Sequence, residues 1–280
     1  MEKTLIILPA YNVEKELEKI IPHLSIYKPD VIFIDDASTD HSFSILQKNA
    51  FEIIRHKHNL GTSASLLTGI KYAQKKGYTS VILMDADAQH DPRYISQLKE
   101  ELEYRDIILG NRFHSQTIAP EIKWNSNFFA AMLFNNAFGL RLTDVACGFR
   151  AFRIDNDLID FLESKSCKKY DIVYLILIYF LMKKQSSIGT INMEAIYDYD
   201  KLMFTRQSEL ESLVNSIVGT LTIPDKSMQK LYKSIILKQN FCYIIKGIRF
   251  NAFYLKHFDG YIIQIPYQDF RRIKKILNCG

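Results

Sequence analysis

Twelve consecutive residues, Val81-Ile82-Leu83-Met84-Asp85-Ala86-Asp87-Ala88-Gln89-His90-Asp91-Pro92, restrict what this chain can fold into more than any other segment. Four apolar residues suit a short buried strand. Two carboxylates follow at once, with one small residue between them. An Asp-X-Asp just past a strand end puts two acidic groups close enough to share a hard divalent cation. Mg²⁺ takes one or two carboxylates and completes its shell with water and phosphate oxygens. Gln89 adds a neutral oxygen at the same alternate spacing. Asp91-Pro92 reads as an N-cap followed by proline at the first helical position, so a helix is expected to start there. Turn capping alone would also account for Asp85 and Asp87, but Asp91 already fills that role.

The flanking sequence sets this segment in a repeating frame. Apolar runs at Leu5–Leu8, Val31–Ile34, Phe51–Ile54, Val81–Met84 and Ile107–Leu109 read as strands. Between them Leu17, Ile20, Ile21 and Leu24 recur at helical spacing, as do Leu66, Leu67, Ile70 and Ala73. Lys75-Lys76-Gly77 supplies basic residues for a last turn and a glycine stop. Ile95, Leu98 and Leu102 mark the helix after the acidic pair. The alternation predicts an α/β fold with a mostly parallel sheet covered by helices. Parallel strands bring Pro9-Ala10-Tyr11-Asn12, Asp35-Asp36-Ala37-Ser38-Thr39-Asp40, Asp85-Ala86-Asp87 and Gly110-Asn111-Arg112 to one carboxyl edge, where open sheets bind ligands. No Gly-X-Gly-X-X-Gly follows the first strand and no Walker-type glycine loop is present. Phosphate would then be held by metal and side chains.

Composition narrows the class. A chain of 280 residues, with 48% hydrophobic and 24% charged residues, can bury a full core. The N-terminus enters a strand directly, with no signal-peptide pattern. Cys147, Cys167, Cys242 and Cys279 lack metal-ligand spacing and suit a reducing compartment. The apolar run Ile172–Met182 is shorter than the ~20 residues that cross a bilayer. A cytoplasmic protein is therefore expected. The net charge of +5 conceals an asymmetry: from Arg206 onward 12 Lys/Arg face 5 Asp/Glu.

Six ordered motifs carry a resemblance. They are Leu8-Pro9-Ala10-Tyr11-Asn12, Asp35-Asp36-Ala37-Ser38-Thr39-Asp40, Asn59-Leu60-Gly61, Met84 through Pro92, Gly110-Asn111-Arg112, and Thr143-Asp144-Val145-Ala146-Cys147-Gly148-Phe149-Arg150. Over roughly the first 200 residues the chain resembles a family 2 glycosyltransferase. The subgroup it is most similar to is that of dolichyl-phosphate mannose synthases and polyprenyl-phosphate glycosyltransferases. The resemblance implies a GT-A fold and an inverting, metal-dependent transfer from a nucleotide-sugar donor. It implies that Pro9, Ala10, Tyr11, Asp35 and Asp36 contact base and ribose. Asp85, Asp87 and Gln89 would hold Mg²⁺ or Mn²⁺ against the diphosphate, and His90 would flank the site as a structural residue. Arg112 and Arg150 would face donor or acceptor phosphate, for which the guanidinium fork is suited; a salt bridge at the sheet edge is the plainer reading of both. Asp144 would take a proton from an acceptor hydroxyl, or orient the acceptor, or cap a turn.

The implied acceptor is a polyprenyl phosphate, whose anionic oxygen needs no strong base. The alternatives are a sugar hydroxyl in a surface glycan, and nucleotide-sugar binding without turnover. Thr62-Ser63 after Gly61 and the partial match at Met193-Glu194-Ala195-Ile196-Tyr197 depart from the family pattern on the acceptor side. Trp124, Phe128, Phe129, Met132 and Leu133 recur at helical spacing, as a core face or as a lining for an isoprenoid chain. The expected division is a catalytic domain over 1–205 and a basic, aromatic, mainly helical extension over 206–280. Between Lys226 and Lys256 there are seven Lys/Arg and no Asp or Glu. Such a segment can lie on an anionic membrane surface, each basic residue adding about 1 kcal/mol, or dock on the catalytic domain. An acidic metal edge and the lack of a recognisable module count against nucleic acid.

Overall fold

The computed structural model describes residues 3–114, 140–165, 171–183, 185–194 and 196, with scattered positions between 127 and 138 and beyond 200. Two compact units are present, Met1–Ala119 with Thr143–Phe204, and Pro120–Leu142 with Thr205–Gly280.

The first unit is built on a seven-stranded sheet of order β3-β2-β1-β4-β6-β5-β7. Its strands are β1 (Thr4–Ala10), β2 (Val31–Asp35), β3 (Glu52–Arg55), β4 (Ser80–Leu83), β5 (Ile107–Asn111), β6 (Arg150–Arg153) and β7 (Ile188–Asn192). The helices are α1 (Glu14–Leu24), α2 (Ser42–Lys48), α3 (Thr62–Lys75), α4 (Tyr94–Glu101), α5 (Asn156–Ser164) and α6 (Asp171–Met182). All pairings are parallel except those of β6, which runs antiparallel between β4 and β5. The five strands expected from the sequence all form. β6 and β7 carry no comparable apolar run; Arg150 and Arg153 bracket only Ala151-Phe152, and these strands emerge from sheet pairing rather than local pattern.

Strand β1 shows why the two layers form. Ile6, Leu8 and Ala10 face a core shared with Leu17, Ile20, Ile21 and Leu24 of α1, Leu46 of α2, and Ile95 and Leu98 of α4. On the opposite face α3 packs on β1 and β2 and meets α5 and α6. Gly69 of α3 lies so close to Ile7 that a Cβ would collide with it, so glycine here sets the helix–sheet spacing. Helix α3 ends as its sequence predicts. Gly77 has φ +73°, and the Gly77 and Tyr78 N–H groups return to Gln74 and Ala73 carbonyls, closing the last turn. Helix α4 begins at Tyr94, two positions after Pro92; Asp91 Oδ1 accepts from Arg93 N at 2.9 Å and caps the turn that leads in. Helix α6 is apolar all round and 12 residues long, and no helix among the described residues is long and apolar enough to cross a membrane.

In the second unit, the Asn135 side chain bonds both the carbonyl and the N–H of Leu142. Two short strands, β8 (Phe253–Tyr254) and β9 (Ile263–Gln264), pair in parallel. The aromatic series Trp124, Phe128, Phe129, Met132 and Leu133 lies outside the described residues. So do the basic segment 226–256, beyond Phe253–Tyr254, and the helical character expected of 206–280.

Candidate active site

The register explains how distant motifs meet. Ala10 pairs with Asp35 and Ile7 with Leu83, so the segments after β1, β2 and β4 leave the sheet side by side. Because β6 is antiparallel, its first residue, Arg150, pairs with Leu83 and Leu109 at that same edge. The segment 143–149 is thereby delivered next to Asp85 and Arg112. Backbone strain gathers here too. Asn12, Ala37 and Ala88, each in a loop following β1, β2 or β4, adopt φ of 53°, 63° and 61°. Left-handed non-glycine residues cost energy and are common where a loop is held for a ligand.

Asp85 keeps 41% of its side chain open, and among the described residues its carboxylate accepts no hydrogen bond. Burial of its surroundings raises its pKa above the usual 3.8, opposed by the charges of Arg112 and Arg150. Asp87 is also raised, first by burial and then by the charge on Asp85. Two carboxylates that each disfavour the other's charge, with one of them bare, form a donor set suited to a hard cation. Gln89 braces Asp87: its backbone N donates to Oδ1 at 3.0 Å and its side-chain amide to Oδ2 at 2.9 Å. No group of three or more His, Cys, Asp or Glu that could hold a metal occurs among the described residues. Two carboxylates suit a cation that draws its remaining ligands from water and phosphate. His90 is buried, and its pKa is lowered to about 4 by that burial, so it is neutral at pH 7.

Opposite the acidic pair stands Arg112, which is committed to Asp144. Nε and Nη2 donate to Oδ2 and Oδ1 at 2.8 and 3.2 Å, the Arg112 backbone N adds 3.2 Å to Oδ2, and Ala146 N adds 3.1 Å to Oδ1. Four donors saturate the two oxygens, and the Asp144 side chain is 0% exposed. The ion-pair reading of Arg112 is what the geometry gives, and Asp144 has no free lone pair for an acceptor proton. Arg150 is not open to a phosphate. Its guanidinium is wholly buried and donates to the carbonyls of Cys147, Val145 and Val173, tying the 145–147 segment to α6. Burial lowers its pKa to about 10. Cys147 is a buried free thiol, pushed up to about 11.

At the other end of the edge, Tyr11 is 47% exposed while Ala10 is buried. Asp36 accepts from Leu60 N, Gly61 N and His56 Nδ1 at 2.9, 2.7 and 2.7 Å, holding the entry to α3. His56 Nε2 continues to Thr68 at 3.0 Å. Asp35 Oδ1 accepts from Ser38 N, while Oδ2 lies 2.9 Å from Arg55 Nε without making a hydrogen bond. Asp35 thus caps the turn after β2 and Asp36 braces the segment that enters α3. Arg55 and His56 escaped the sequence reading. The available signal was a basic pair directly after the apolar run Phe51–Ile54, whose strand neighbours that of Asp35.

A family model described as Glycosyl transferase family 2 matches residues 5–158. The chain is 28% identical over 181 residues to the undecaprenyl-phosphate mannosyltransferase of Micrococcus luteus, covering 58% of this chain and 72% of that protein. It is 26% identical over 215 residues to a UDP-N-acetylglucosamine–dolichyl-phosphate N-acetylglucosaminyltransferase of Methanococcus voltae, covering 69% and 85%. In fold it is similar to glucosyl-3-phosphoglycerate synthase from Mycobacterium tuberculosis, solved with Mn²⁺, UDP and glucosyl-3-phosphoglycerate. The TM-score is 0.57 at 16% identity, covering 80% of this chain and 82% of that one.

Proposed function

This chain belongs to glycosyl transferase family 2, and on that footing we propose that it moves a sugar from a nucleoside diphosphate donor to an oxygen acceptor. The observation that carries this reading is the Asp85–Asp87 pair, held at the carboxyl edge with one carboxylate that accepts no hydrogen bond among the described residues. A divalent cation bound there would neutralise charge on the departing nucleoside diphosphate. Asp85 and Asp87 would hold it, and Gln89 keeps Asp87 in place. Arg112 sets a guanidinium beside the pair, aimed by Asp144. Tyr11 and the Pro9-Ala10 backbone supply the nucleotide end, next to the buried Asp35 carboxylate and its ion pair with Arg55. Arg150 supports the segment that carries Asp144 instead of touching substrate.

The proposed acceptor is a polyprenyl phosphate. The names of the relatives from Micrococcus luteus and Methanococcus voltae support it. The saturated carboxylate of Asp144 agrees, since an anionic phosphate oxygen attacks without giving up a proton. A second reading, transfer to a hydroxyl of a small phosphorylated acid or glycan, is favoured by the fold shared with glucosyl-3-phosphoglycerate synthase. The seven basic residues of 226–256, without acidic ones, support contact with an anionic membrane face. The test is product formation from radiolabelled UDP- and GDP-sugars with Mn²⁺, using undecaprenyl phosphate or 3-phosphoglycerate as acceptor. Butanol-extractable product supports the first reading and water-soluble product the second. Neither transfer nor donor hydrolysis with any sugar would refute both.

A further inference from the structure

The loop that carries the acidic pair is closed by a single side chain. His90 Nδ1 accepts the backbone N–H of Asp85 at 3.0 Å, enclosing the four residues between them, which include Asp87, Gln89 and the left-handed Ala88. Because Nδ1 accepts, the ring proton is on Nε2, which lies 3.7 Å from Asp85 Oδ2. The ring is 3% exposed and stacks on Phe149, with centroids 5.1 Å apart and planes 22° from parallel. Phe149 is itself fixed: it is fully buried, and its carbonyl accepts from Gly110 N at 3.0 Å, on the segment leading to Arg112. Gly148, one residue earlier, leaves the space in which the Asp85 carboxylate sits; a Cβ there would be 2.7 Å from Oδ2. The imidazole therefore touches the backbone of one acidic residue, approaches its carboxylate, and rests on the segment that shapes its pocket.

We propose that His90 is a positioning residue which fixes the Asp85 backbone and carboxylate for cation binding, acting through its Nδ1 acceptor and its stack on Phe149. The inference rests on the metal-site reading above. A residue that orients a ligand from behind in this way is worth about 10–100-fold in metal affinity when removed. Both the acceptor and the flat face matter, and substitutions separate them. Asn carries an amide oxygen near the place of Nδ1, whereas Leu fills the volume with no acceptor.

Mn²⁺ binding is measured by the loss of the free-ion electron paramagnetic resonance signal, with and without UDP or GDP, on the whole chain. Thermal melts of each variant report folding separately. His90→Leu is expected to weaken Mn²⁺ by about 10–100-fold, and His90→Asn to recover most of that loss. Equal Mn²⁺ affinity in wild type and His90→Leu would overturn the proposal. So would equal loss in Leu and Asn variants, because the acceptor would then play no part. Asp87→Ala serves as the reference. If it loses Mn²⁺ while His90→Leu does not, the positioning role fails and the metal site stands. If wild type itself binds no Mn²⁺, the metal-site reading fails and the proposal falls with it.

Discussion

Asp144→Asn separates two accounts of one carboxylate. As an anchor, Asp144 accepts four hydrogen bonds, two from the Arg112 guanidinium, one from the Arg112 backbone and one from Ala146 N. An asparagine must place its NH₂ where one oxygen stood, and either orientation sets it against two N–H donors. The substitution leaves Arg112 charged beside a neutral partner. Breaking a buried pair from one side costs about 3–5 kcal/mol. At roughly 2–4 °C per kcal/mol for a domain of this size, the melting temperature should fall by about 6–20 °C. Arg112→Met alone should cost a similar amount. The Asp144→Asn/Arg112→Met double variant should lose less than the sum, with a coupling of about 1–3 kcal/mol. Differential scanning fluorimetry and urea unfolding measure the stabilities, and donor hydrolysis and transfer are followed on the same samples. An Asp144→Asn protein that melts within a degree of wild type yet loses transfer by orders of magnitude would refute the reasoning. Asp144 would then be a proton acceptor and not an anchor.

Two further outcomes follow from the acidic pair. The pKa of Asp85 is raised in the folded protein, so the fold binds more protons than the unfolded chain just above the ordinary carboxylate pKa, and metal-free stability falls as pH rises through that window. Asp85→Asn should thus raise the metal-free melting temperature near pH 7, flatten its acid-side dependence, and abolish the stabilisation that Mn²⁺ gives wild type; a destabilised variant would contradict the desolvation argument. Gly148→Ala pushes a methyl against the Asp85 carboxylate. Isothermal titration should show Mn²⁺ affinity reduced at least about tenfold, a cost of about 1.4 kcal/mol; unchanged affinity would mean that the segment yields.

How much could be read in advance varied with the kind of information each residue carries. Strands β1 to β5 announce themselves as apolar runs, and Gly77 stops α3 because the left-handed position there suits glycine. The edge segments follow from parallel topology alone, so the positions of Tyr11, Asp35, Asp85 and Arg112 were legible. Strand β6 was not, because Arg150-Ala151-Phe152-Arg153 holds only two apolar residues between arginines, and its strand character comes from pairing with β4 and β5. That antiparallel insertion accounts for Arg150 as well. Entering the sheet between two strands, its side chain is buried and takes carbonyl partners. Which carboxylates are spent on neighbours is a property of three dimensions. Asp36 accepts three hydrogen bonds and Asp144 four, while among the described residues the Asp85 carboxylate accepts none, although all three sit in similar local sequence.

The proposed function requires that Asp85 and Asp87 grip a cation that in turn grips a nucleoside diphosphate. Calorimetric titration of UDP and GDP with Mn²⁺ tests this directly. Binding of one of them by wild type, lost with EDTA and weakened by at least about tenfold, or 1.4 kcal/mol, in Asp87→Ala, is the predicted result. Nucleotide affinity indifferent to both EDTA and Asp87→Ala would contradict it.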